Sequence, residues 1–105
     1  QYRKYGWWSS QEFMPGMYVK ELYMDKVEFA GLVANGRVFR GDKGRYVTFL
    51  TLGIGNGQYI DVTIKKPFSY SDHDVVYGQG TIKHSNNSDY IECYDSKGFR
   101  LEKYI

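Results

Sequence analysis

From Lys26 onward apolar and polar side chains alternate with a period of two, and the breaks fall at glycine-containing turns. Alternation sends successive side chains to opposite faces, so the pattern predicts half-buried strands rather than helices. A first strand is expected over 26 to 39, interrupted by Gly31 and Gly36, because glycine within a strand marks a bulge or a sharp bend. Gly41-Asp42-Lys43-Gly44 predicts a hairpin turn, and a second strand follows over 45 to 54. In that strand Tyr46, Thr48, Leu50, Leu52 and Ile54 share one face, and Val47, Phe49 and Thr51 the other. Both faces are partly apolar, so the pattern leaves open which one is inner. Gly55-Asn56-Gly57 makes the next turn, and the strand over 58 to 66 alternates more cleanly, with Ile60, Val62 and Ile64 opposite Tyr59, Asp61, Thr63 and Lys65.

Pro67 stops that strand, and 68 to 74 form a polar, aromatic connection without helical periodicity. A fourth strand is expected over 75 to 84, a turn at Ser85-Asn86-Asn87-Ser88, a fifth strand over 90 to 94, and a short further strand over 99 to 105. Residues 17 to 25 leave two readings open: Tyr18 and Leu22 have the spacing of a short helix, while the β-branched and aromatic content suits a lead-in strand. Residues 1 to 16, with Trp7 and Trp8 among Tyr2, Arg3, Lys4 and Tyr5, read as an arm closed by Met14-Pro15-Gly16. At 105 residues the chain is sized for one core, so the expected organisation is this arm followed by a single domain over 17 to 105. The expected fold is all-β, a small five-stranded Greek-key barrel with an N-terminal arm.

The segment GLVANGRVFRGDKGRYVTFLTLGIGNGQYIDVTIKK, residues 31 to 66, resembles the first three strands of bacterial-type single-stranded DNA-binding proteins of the OB fold. There a glycine-bent strand leads through a basic turn into a strand ending in an apolar, small, apolar triplet, here Leu50-Thr51-Leu52. SDHDVVYGQGTI, residues 71 to 82, is similar to the entry into that family's fourth strand. The family's helix between strands three and four has no counterpart in 67 to 74, and 101 to 105 lack the composition of its acidic, glycine-rich tail. The resemblance therefore implies a minimal or divergent member, of the sort that phages and plasmids encode.

Composition sharpens the choice of ligand. Aromatic residues make up 18% of the chain, and several stand beside Arg or Lys in the predicted strands. Aromatic faces stack on unpaired bases while cations hold phosphates, although a small β-domain also needs aromatics for its core. The formal charge is only +2, so any basic surface is local; residues 1 to 66 carry ten Lys or Arg against six Asp or Glu, and 67 to 105 four against six. Arg37, Arg40, Lys43 and Arg45 crowd around the first hairpin with Asp42 the one opposing charge, and Lys65 and Lys66 end the third strand. In the family geometry these cations would contact the backbone, and Phe39, Tyr46, Phe49 and Tyr59 would supply stacking platforms, with Tyr59 foremost because it lies on the polar face of its strand. Tyr70 and Tyr77 would extend the path.

Other chemistries are poorly supported. The single cysteine, Cys93, excludes an intramolecular disulfide and a multi-cysteine zinc site, reads as a small core residue and suits a reducing cytoplasm. Asp72, His73 and Asp74 diverge if extended and are expected to form a turn, not a metal or acid–base site. There is no P-loop, nucleophile elbow or metalloprotease motif, and no apolar run near the roughly 18 residues a membrane span needs. The expectation is a non-enzymatic protein without metal or cofactor, cytoplasmic, that binds single-stranded DNA with little sequence preference in replication, transfer or repair. RNA as the ligand and a protein-interaction module on the same small barrel remain as alternatives, and the arm or the sheet edges permit a homo-oligomer.

Overall fold

The fold turns on one strand long enough to pair with three others. In the computed structural model, which describes residues 16 to 55, 57 to 86, 88 to 93 and 100 to 103, the strands are β1 (Tyr18–Tyr23), β2 (Lys26–Arg40), β3 (Tyr46–Gly55), β4 (Gln58–Ile64), β5 (Asp74–His84), β6 (Asp89–Cys93) and β7 (Arg100–Lys103). The described residues contain no helix. The ambiguous segment after the arm is thus a strand, β1, antiparallel to the start of β2 with Tyr18 opposite Ala30. Of the arm expected over 1 to 16, residues 1 to 15, with Trp7 and Trp8, lie outside the described residues.

β2 pairs with β5 over Lys26 to Leu32 and with β3 over Leu32 to Arg40. A strand has two edges, so β1 and β3 must follow one another along the edge that β5 leaves. β5 is shared in the same way, meeting β2 on one edge and β7 then β6 on the other. β3 pairs antiparallel with β4, and β4 pairs parallel with β6, with Val62 opposite Ile91. The chain of pairings β2–β3–β4–β6–β5 therefore returns to β2, a closed ring of neighbours with β1 and β7 added at its edges.

The inner side of this ring is the core. Val27, Phe29, Val33, Leu50, Leu52, Ile54, Ile60, Val62, Ile64, Val76, Ile82 and Ile91 are all buried. The inner face of β3 is accordingly the one that carries Leu50, Leu52 and Ile54. Thr48, fully buried in the same row, donates from Oγ1 to the Lys66 carbonyl at 2.8 Å and ties the exit of β4 to β3. Phe68 and Tyr70 in the following connection pack against the core.

The predicted bulge of the first long strand exists but is displaced. The register against β3 shifts between Val33 and Asn35, so the extra residue is Ala34, between the two glycines rather than at either. The glycines serve close approach instead. A Cβ on Gly31 would stand 2.6 Å from the Leu52 Cβ, and one on Gly36 2.8 Å from the Tyr70 ring. Gly80 is tighter still, since its Cβ would meet Ile91 Cγ2 at 2.6 Å, the Glu92 carbonyl oxygen at 2.7 Å and Cys93 Sγ at 2.8 Å. These contacts lie where β5 passes from β2 to β6, so glycine there lets the ring close.

The turns follow the sequence reading. Gly41 N–H donates to the Arg45 carbonyl at 2.7 Å and Gly44 takes the left-handed conformation in the β2–β3 hairpin. Ser85 N–H donates to the Ser88 carbonyl at 3.1 Å between β5 and β6. Asp74, buried at the start of β5, accepts from Ser71 N–H through Oδ2 at 2.9 Å, while His73 adopts φ +69°, so Asp72 and His73 form the turn that leads into β5.

Closure through Gly80 is testable. Gly80→Ala forces a methyl into backbone as well as side chains and is expected to cost about 1–3 kcal/mol, lowering the thermal midpoint by about 4 °C or more for a domain of this size. Gly41→Ala meets nothing closer than 3.6 Å and should leave the midpoint nearly unchanged in the same circular-dichroism melts.

Candidate nucleic-acid interface

Antiparallel register lines the outer face of β2, β3 and β4 into rows. Phe39 stands opposite Val47; Arg37 opposite Phe49, itself opposite Thr63; Asn35 opposite Thr51, itself opposite Asp61; and Gly53 opposite Tyr59. Each row is a consequence of period-two alternation: the neighbours Leu50, Leu52, Ile60, Val62 and Ile64 go inward, so these side chains go out. Phe39 is 53% exposed, Phe49 37% and Tyr59 56%. Apolar rings left this open to water on three neighbouring strands are not core filling, and they share one surface.

The cations sit against these rings. The Arg37 guanidinium carbon lies 5.3 Å from the centroid of Phe49, the residue directly across the strand pair. Arg40 stands 5.8 Å from the Tyr46 ring, again its cross-strand partner. Both distances fall within the range in which the ring quadrupole attracts a cation. Arg37, Arg40, Lys43 and Arg45 are all exposed, and none is in an ion pair among the described residues.

Tyr46 and Arg40 have the parity of the inner face, yet Tyr46 is 42% exposed and Val38 46%. The β2–β3 hairpin runs past the end of the core, so both of its faces are wet near the tip. It offers Phe39 on one face and the Arg40–Tyr46 pair on the other. Two of the expected site residues stand differently. Lys65 follows Thr63 on the outer face, but its Nζ lies 3.4 Å from Glu92 Oε2, a largely buried carboxylate on β6, so its charge is partly committed to the protein. Tyr77 is on β5, half-buried and packed against the core opposite Ala30, away from the β2–β3–β4 face. Tyr70 rests over Gly36 rather than lying free in the connection.

Between the stacked Arg37–Phe49 pair and β6 runs a groove of about 420 Å³, lined among others by Asn35, Thr51, Asp61, Thr63, Ser88 and Tyr90. Sites for small organic ligands span about 300–1,000 Å³, so it is large enough to seat a base. None of these six is an obvious site residue in the sequence. Ser88 and Tyr90 reach the groove only because β6 pairs in parallel with β4, a long-range event with no local signal. Asp61 did carry one, as a lone carboxylate on the polar face of its strand. A second, more apolar groove of about 440 Å³ is lined by Tyr59, with Leu32, Val33, Ala34, Gln58 and His73 also in its walls. The Tyr59 ring lies over Gly53, about 3.5 Å from where a Cβ would be.

Among the described residues no three His, Cys, Asp or Glu side chains come together as metal ligands, and no helix is long and apolar enough to cross a membrane. Cys93 is buried and is in no disulfide. No protein-family model, curated protein or solved structure shows a significant match to this chain.

If the exposed rings are surface platforms rather than supports, removing them leaves stability intact. Phe39→Ala and Phe49→Ala should each shift the thermal midpoint by no more than about 3 °C, the effect of roughly 0.5 kcal/mol typical of surface changes. Phe29→Ala in the core should cost about 3–5 kcal/mol.

Proposed function

We propose that the chain is a five-stranded OB-type barrel that binds single-stranded DNA along the outer face of β2, β3 and β4, with little sequence specificity and without catalysis. The pairing order supports the barrel reading: a three-strand meander whose first strand meets β5 and whose third runs parallel to β6 is the order of the OB Greek key, the fold that uses its second and third strands and adjoining loops to hold oligonucleotides. The observation that carries the functional reading is the Arg37–Phe49 stack beside exposed Phe39 and Tyr59. An aromatic face takes a base whatever its identity, and a neighbouring guanidinium takes the phosphate that follows. The cations of the β2–β3 turn extend that path along the backbone. Protection or presentation of single strands in replication, transfer or repair is the corresponding role.

A partner protein is the second reading. Leu22, Tyr23 and Met24, at the turn between β1 and β2, are 44%, 70% and 70% exposed, and Tyr and other large apolar side chains also anchor protein interfaces. That patch is remote in register from the outer face of β3 and β4, so the two surfaces separate by mutation.

Fluorescence anisotropy with a labelled oligo-dT at two salt concentrations tests the first reading. Binding should weaken as salt rises, because each neutralised phosphate releases a counterion. Phe49→Ala should lower affinity about 5- to 150-fold, the equivalent of about 1–3 kcal/mol per stacked base, and Arg37→Ala should reduce the salt slope as well. Loss of neither, or salt-indifferent binding, contradicts the proposal; displacement by an RNA oligomer more readily than by DNA assigns the face to RNA. Leu22→Ser with Tyr23→Ser should leave oligonucleotide binding unchanged.

A further inference from the structure

Asp61 is the one carboxylate in the outward rows that β3 forms with Leu32 to Arg40 of β2 and with β4, and its position is out of keeping with a surface made only to hold phosphates. It is exposed, and its Oδ1 accepts from Thr51 Oγ1 at 3.2 Å, which fixes the carboxylate at the wall of the groove. Tyr59 lies two residues away on the same face of β4, about 6.6 Å along the strand. Phe49, with Arg37 stacked on it, flanks the other side through Thr51 and Thr63. A fixed anion there repels the backbone of a bound strand, which favours phosphates near Arg37 and the cations of the β2–β3 turn and bases toward the groove.

We propose, resting on the nucleic-acid reading above, that Asp61 reads the Watson–Crick edge of a guanine stacked on this face. Guanine presents two adjacent N–H donors, N1 and the exocyclic N2, spaced to meet the two oxygens of one carboxylate. Oδ1 has a lone pair left beside the Thr51 bond, and Oδ2 has no partner among the described residues. Adenine and cytosine set a single amino donor beside a ring acceptor, and thymine sets its one imino N–H between two carbonyl oxygens that a carboxylate repels. Unpaired bases have these edges free, which is where single strands are read. The face therefore combines sequence-tolerant stacking with a preference for guanine at one position.

The experiment compares three labelled thymidine oligomers in anisotropy titrations with the intact chain: one unsubstituted, one with two isolated guanines, and one with inosine at those positions. Inosine keeps N1–H and lacks the N2 amine. The guanine oligomer should bind about tenfold tighter than the unsubstituted one, within the range a good bidentate contact supplies, and inosine should lose most of that gain. Asp61→Asn should abolish the guanine preference while leaving affinity for the unsubstituted oligomer equal or higher, with an unchanged melting midpoint. A wild-type protein that binds all three equally, or a preference that survives Asp61→Asn, overturns the inference and leaves the single-strand reading standing. Failure to bind any of the three overturns both.

Discussion

Everything outside the core depends on β2 being paired along both edges over its first half and along one edge over its second. Its first half carries β5 on one edge and β1 on the other, and its second half carries β3 where β1 stops, with Leu32 bonded into both ladders. That handover requires the strand to bend, and the bulge at Ala34 provides the bend immediately after the shared residue. Because β5 repeats the arrangement, passing from β2 to β6 at Thr81, the pairings of β2, β3, β4, β6 and β5 close on themselves, and β1 and β7 remain as edge strands. A closed ring buries its inner side chains from every direction, which is how a chain of this size keeps twelve large aliphatic and aromatic residues almost free of solvent.

The same closure decides what is left outside. Once Leu50, Leu52, Ile60 and Val62 are committed inward, the residues between them have no choice of face, and aromatic and cationic side chains at those positions must be surface features. Cross-strand pairing then brings Arg37 onto Phe49 and Arg40 onto Tyr46 without any loop having to be organised for the purpose. Rigid strands thus hold the ring–cation pairs, while the turn that bears Lys43 is confined by Gly41 and Gly44. A site built on strands keeps its spacing when the ligand arrives, so less ordering cost falls on binding.

Much of this was legible in the chain, and the failures have identifiable causes. Strand positions from Lys26 to Cys93 followed from period-two alternation and glycine turns to within a residue or two. The inner face of β3 did not, because Val47, Phe49 and Thr51 are as compatible with burial as Thr48 and Leu50; only pairing with both β2 and β4 settles it. Gly31 and Gly36 announced an irregularity in β2 but not its place, since a glycine needed for Leu52 or Tyr70 to press against the backbone has the same local signature as one needed for a bulge. Lys65 read as a free cation because its partner, Glu92, lies 27 positions later in a strand that joins β4 by parallel pairing.

Phe49 shows why position rather than composition carries the functional argument. At 37% it is the least exposed of the three rings on this face, and the chain has many aromatics. What distinguishes it is that the guanidinium across the strand lies over its face while Thr63 and Thr51 leave polar walls beside it. In the proposed function, a ring that lies under an exposed cation can exchange that contact for a base, since the guanidinium gains a phosphate. Tyr77, with comparable aromatic character, cannot make that exchange, because its cover is the core itself. The number of rings in the chain therefore overstates the proposed binding surface, and the strand register selects among them.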